Sequence, residues 1–260
     1  MEYEKKIFIC DDSLEGIFTG IYDGWHWGAK GLPIEIVTKE PEYPEFFCTC
    51  VHIPPDPEKA HKVARSVRRK LGYEVYEAVC YAAVSVHQGK GTAIFRVLLR
   101  ALGGGRCDRD VMEALTDPDV NLVFRLRTKV WHEHHRYLGF VRFRDVGGGV
   151  LFSRITPEND ILEMLAPHFA DRFPNESWMI YDDKRNKVLT HPKGGQCSVH
   201  TEVVLDAAQK EALSETEEFE QLWKVFCESI AVRERKNPKL QQQFVPLKFR
   251  SNMMEFSRES

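Results

Sequence analysis

At Gly139 the apolar residues of this chain stop recurring every three or four positions and, as far as Ile155, follow a period of two. Helical and strand-like periods that are segregated along a chain, rather than interleaved, specify an α+β fold in which strands pair with near neighbours. Gly139-Phe-Val-Arg-Phe-Arg-Asp145 and Val150-Leu-Phe-Ser-Arg-Ile155, joined by Gly147-Gly-Gly149, predict a first hairpin. Thr156-Pro-Glu-Asn-Asp160 then reads as the cap of a helix that carries Ile161, Leu162, Leu165, Phe169 and Phe173 on its apolar face. Trp178-Met-Ile-Tyr181 and Lys187-Val-Leu-Thr190, separated by a polar turn, predict a second hairpin. The expected unit over about residues 139–193 is ββαββ, one helix on an antiparallel sheet.

Upstream lies a helical elaboration over about residues 56–138. Ile7-Phe-Ile-Cys10 predicts a strand, followed by a helix with Leu14, Ile17, Phe18, Ile21, Tyr22 and Trp25 at helical spacing. Two further strands are expected at Ile34-Glu-Ile-Val37 and Phe46-Phe-Cys-Thr-Cys-Val-His-Ile53. Helices follow from Asp56, from Tyr73 to His87, from Thr92 to Leu102, and from about Asp108 to Tyr137 with a break near Asp117-Pro118. A last amphipathic helix is expected over about residues 214–235. The 260 residues are expected to form one α+β domain.

No apolar run reaches the roughly 18 residues of a membrane span, and the N-terminus has no signal-peptide core, so a cytoplasmic protein is expected. Seven scattered cysteines suit reduced thiols. Cys48-Thr-Cys50 would place two thiols on one strand face, but no partner Cys pair or His follows at zinc-finger spacing. No metal site or cofactor is expected.

The net charge of −3 conceals strong segregation. Residues 1–60 carry 5 Lys and Arg against 12 Asp and Glu, and residues 61–150 carry 16 against 9. Residues 151–220 then carry 7 against 14, and residues 221–260 carry 8 against 4. Basic blocks on an acidic protein can focus positive potential onto a phosphate backbone, although solvated helix faces also carry charge. The most basic short helix follows Asp56: Ala60, Val63, Ala64, Val67 and Leu71 form its stripe, with Arg65, Arg68, Arg69 and Lys70 largely off it.

Trp131-His-Glu-His-His-Arg-Tyr-Leu-Gly-Phe-Val-Arg-Phe143 is the segment densest in chemistry. It permits acid–base work by Glu133 and His135, phosphate or base contact, or structural hydrogen bonding. An HExxH zinc motif is absent because Arg136 holds the place of the second histidine. His87-Gln-Gly-Lys-Gly-Thr92 resembles a phosphate loop only superficially, because it joins two helices and lacks the first glycine and the terminal Ser or Thr. Asp182, Asp183 and Arg185 sit at a hairpin tip, where carboxylates usually form turns, and His168 and Arg172 are one helical turn apart.

Asp12-Ser-x-Glu-Gly16, Glu133-x-His135, Gly139-Phe-x-Arg-Phe143, His168-Phe-x-x-Arg-Phe173, Trp178-x-Ile-x-Asp182-x-x-Arg185 and Arg235-Lys-Asn-Pro238-x-x-Gln241 occur in order. In these motifs the chain resembles a bacterial family assigned to DNA metabolism and repair. That family is associated with a radical-SAM partner, and similar domains occur fused to uracil-DNA-glycosylase-like domains. The resemblance implies a DNA-binding factor and marks Glu133, His135, Arg142, His168, Arg172, Asp182, Arg185, Asn237 and Gln241. Glu133 and His135 are the catalytic candidates. Arg65, Arg68, Arg69, Arg142, Arg172, Arg185, Asn237 and Gln241 are the nucleic-acid-binding ones. The chain has no CxxxCxxC cluster motif, so the radical-SAM chemistry would belong to the partner. An enzyme acting on a nucleic-acid base or phosphate, and a scaffold without catalysis, are the alternatives.

Overall fold

Ile7, Phe8 and Cys10 are buried in β1 (Lys5–Cys10), the central strand of a three-stranded parallel sheet ordered β2 (Ile34–Val37), β1, β3 (Cys48–Ile53). The computed structural model describes residues 5–41, 47–103, 107–146, 149–204, 249 and 253, so the helix expected over 214–235 lies outside the described residues. Parallel neighbours need a crossover. That crossover is α1 (Leu14–Gly28), started by Ser13, whose hydroxyl accepts from Gly16 N–H at 3.0 Å.

Every fourth residue of α1 from Gly16 to Gly28 is glycine, and this stripe sets how closely the helix approaches its neighbours. A Cβ on Gly24 would stand 2.7 Å from Ile34 Cδ1, and one on Gly28 would stand 2.5 Å from the Phe95 ring. The helix therefore lies close to β2 and to α4 (Lys90–Gly103), and a larger residue at either position would have to displace the Ile34 or Phe95 side chain.

Contacts group the described residues into two compact units, one running to Glu133 and including Glu158–Asp160, the other taking His134–Pro157 and everything from Ile161. The first holds the parallel sheet, α1, α2 (Pro57–Leu71), α3 (Tyr73–Ala83), α4 and most of α5 (Pro118–Phe140). The expected break at Asp117-Pro118 is the start of α5, where the Asp117 carboxylate accepts from the N–H groups of Asp119 and Val120 at 3.0 Å each. The turn between α3 and α4 is an interhelical one: Lys90 is buried and its Nζ donates to Asp12 and to Ser85 O, both at 2.5 Å.

The second unit contains a sheet ordered β4 (Arg144–Asp145), β5 (Val150–Ile155), β6 (Ser177–Asp182), β7 (Lys187–His191), β8 (Ser198–His200), with α6 (Leu162–Arg172) between β5 and β6. This contains the ββαββ order and is α+β, with one refinement. The β5–β6 pair is parallel, because a helix returns the chain to the same end of the sheet, and the other three pairs are antiparallel.

Three local expectations are corrected. The strand expected from Gly139 shrinks to two residues, since α5 continues to Phe140 and packs the Tyr137 and Phe140 rings 5.0 and 5.1 Å from Phe249. No side chain caps α6, which begins after Ile161; the polar residues before it bond elsewhere, as described below. β8 lies beyond the unit expected over residues 139–193, where no strand is expected. Phe143, Phe169, Phe173 and Trp178 form an edge-to-face aromatic cluster in this unit, with centroids 5.3 to 6.2 Å apart. Among the described residues no helix is long and apolar enough to cross a membrane.

Candidate nucleic-acid interface

Asp56 fixes the start of α2 by accepting from Glu58 N–H at 2.9 Å and Lys59 N–H at 3.1 Å, and Pro57 occupies the first helical position. At 100° per residue Ala60, Val63, Ala64, Val67 and Leu71 then share one arc, and Ala60, Val67 and Leu71 are buried. The opposite arc runs through Arg68, His61, Arg65, Arg69, Lys62 and Lys70, all exposed. Among the described residues none of these five Lys and Arg side chains joins an ion pair. Lys59, at the edge of the arc, is instead held by Asp23 at 2.8 Å. Arg68, Arg69 and Lys70 occupy the last turn, where cations also favour the helix dipole.

Two exposed tyrosines flank this arc. Tyr22, grouped by spacing with the apolar face of α1, is instead 42% exposed, with Lys59 and Lys62 Nζ 5.9 and 5.7 Å from its ring centre. Tyr73, 59% exposed, lies 5.8 Å from the Arg68 guanidinium. Cations alternating with rings can hold phosphates and stack bases. The tyrosines, Lys62 and Lys70 were not among the sequence candidates, and only the helical wheel of α2 points to the two lysines.

The remaining candidates are dispersed. Glu133 is buried on α5, where Oε1 accepts from Glu158 N–H at 2.9 Å and Oε2 from the backbone and side-chain amides of Asn159 at 2.9 and 2.6 Å. Asn159 Oδ1 in turn accepts from Val86 N–H at 3.1 Å, and Asp160 N–H donates to Val84 O at 3.0 Å. Glu133 thus fastens residues 158 and 159 to α5, and Asn159 and Asp160 in turn bond the α3–α4 turn. His135 is exposed and belongs to the second unit. His134 beside it donates to Met164 O at 3.1 Å; burial holds its pKa below the ordinary imidazole value, the bond to Met164 opposing and His135 and His168 adding to the shift. His168 packs edge-on against Phe169, and its Nε2 is buried without a partner among the described residues.

Arg142 Nη1 donates to Gly139 O at 2.7 Å and Val141 O at 3.3 Å, closing the C-terminus of α5. Arg172 is exposed in the last turn of α6, its guanidinium 5.6 Å from the Phe173 ring. Arg185 Nη1 donates to Asp182 at 3.0 Å and Pro157 O at 3.2 Å. Asp182 is fully buried and also accepts from Lys184 and Arg185 N–H; burial raises its pKa against the lowering effect of Arg185. The structure therefore joins Asp182 with Arg185, and Arg65 with Arg68 and Arg69. It engages Glu133 with the N–H groups of Glu158 and Asn159, Arg142 with the carbonyls of Gly139 and Val141, and Arg185 with that of Pro157. Asn237 and Gln241 lie outside the described residues. Among the described residues no three His, Cys, Asp or Glu side chains converge as metal ligands.

A search of curated proteins found no match. Residues 88–255, more than half of the chain, match the family described as a domain of unknown function, DUF4130, and the chain belongs to that family.

Proposed function

We propose that this protein is a DNA-binding repair or processing factor that holds the phosphate backbone on α2 and acts with a radical-SAM partner in the cytoplasm. The observation that carries the DNA-binding part is the cationic arc of Lys62, Arg65, Arg68, Arg69 and Lys70, unpaired by carboxylates among the described residues and flanked by Tyr22 and Tyr73. Cations already paired with carboxylates would have to break those pairs to take a phosphate, whereas these five need not. The link to repair and the radical-SAM partner rest on the spaced motifs from Asp12 to Gln241. A catalytic role for Glu133 is the weaker alternative, because its buried carboxylate already accepts from three N–H donors of Glu158 and Asn159.

Fluorescence anisotropy of labelled DNA tests this directly. Affinity should fall steeply between about 50 and 200 mM salt as counterions compete for the phosphates. Absence of binding at the lower salt would overturn the proposal, and failure of the radical-SAM protein to co-purify would remove that partner from it.

A further inference from the structure

We infer that the groove between α1, α2 and α4 receives an unstacked base of single-stranded DNA, with the flanking phosphates on Lys62 and Lys70; this rests on the DNA-binding reading of α2. The groove has a volume of about 480 Å³, inside the roughly 300–1,000 Å³ of small-molecule sites. Its floor is apolar, formed by the buried Ile21, Val67 and Leu98, and the rings of Tyr22 and Trp25 also line it. Trp25 is braced edge-on by Phe95 with centroids 6.5 Å apart. Lys62 and Lys70 stand on the α2 wall two helical turns apart, with Ser66 between them, and among the described residues no carboxylate lines the groove.

This combination selects an occupant. A purely apolar partner helix would leave the two ammonium groups beside a surface that offers them nothing, and a duplex keeps its bases stacked inside. A nucleotide of a single strand presents a flat π-face to the rings and an anionic phosphate on either side to the lysines. The same lysines belong to the cationic arc of α2, so the strand would pass from the helix surface into the groove.

The experiment compares, by anisotropy on the full-length protein at low salt, a labelled single strand with a duplex of the same sequence. Base–aromatic stacking should make the single strand bind about fivefold or more tightly. Tyr22→Ala, which removes an exposed ring, and Ser66→Trp, which fills the groove, should move the ratio towards one by weakening the single strand selectively. Arg68→Ala, outside the groove, should weaken both forms and keep the ratio. If Ser66→Trp fails to fold by circular dichroism, Tyr22→Ala decides alone. Binding of both forms with equal affinity by the unmodified protein, or a preference that survives Tyr22→Ala, overturns the groove assignment while the DNA-binding reading stands. Absence of binding to either form overturns both.

Discussion

Glu133 Oε2 receives both the backbone N–H and the side-chain amide of Asn159, at 2.9 and 2.6 Å, while Oε1 takes Glu158 N–H. Removing that carboxylate leaves three donors to be satisfied in a largely buried place, at about 1–3 kcal/mol each. Glu133→Ala should therefore lower the unfolding free energy by about 3 kcal/mol or more in a urea titration. Glu133→Gln should cost less, about 1–2 kcal/mol, because one oxygen survives while the amide nitrogen faces a donor. A loss below about 1 kcal/mol for the alanine variant would show that the clasp is not what fastens residues 158 and 159.

Exchange of Arg65, Arg68 and Arg69 together for alanine should change how DNA binding depends on salt. Each lost phosphate contact lowers the slope of log affinity against log salt by about 0.9 on duplex DNA, so a decrease of about 2–3 is expected. The three side chains are exposed on α2, and the thermal midpoint should move little. An unchanged slope would place the phosphates elsewhere.

The imidazole of His134 gives stability a definite pH dependence. Its folded pKa lies below the ordinary value because burial disfavours the cation. For a depressed pKa the stabilisation is present above the unfolded value and is lost as pH falls through the folded one. Denaturation midpoints should therefore decline from about pH 7 to pH 5, and His134→Gln, which retains an N–H for Met164 O, should flatten that decline. Parallel pH profiles for the two proteins would remove His134 as the cause.

Two glycines separate backbone contact from side-chain contact. A Cβ on Gly91 would stand 2.6 Å from Ile36 O, a backbone atom of β2 that Thr92 also engages through its hydroxyl at 3.0 Å. Gly91→Ala should cost about 1–3 kcal/mol through overpacking. Gly24→Ala meets the mobile end of Ile34 and gains up to about 1 kcal/mol of helix propensity, so its net effect should stay within about 1 kcal/mol. Equal losses in chemical denaturation would mean that β2 yields as readily as a side-chain methyl.

Much of the architecture was legible because its signals are local. The apolar stripe of α2 and the Asp56-Pro57 start identify that helix and leave its cations on the far side. The period-two segments around a polar turn likewise identify β6 and β7. Ambiguity arose where helix and strand signals adjoin: Val141-Arg142-Phe143-Arg144 alternates as in a strand, yet the preceding Phe140 ends a helix. β8 was missed because Ser198-Val-His200 offers a single apolar residue, its place being fixed by pairing with β7.

What the sequence determined by itself was the α+β class, the order of the ββαββ unit and the polarity of α2, since each depends on spacing within one segment. The tertiary structure decided the parallel β5–β6 pairing, the exposure of Tyr22 beside Lys59 and Lys62, and the duty of Glu133. The spacing of a carboxylate in a sequence does not show whether it will meet water, a substrate or three N–H groups. For Glu133 the outcome was set by donors 25 and 26 residues away, a separation that only folding closes.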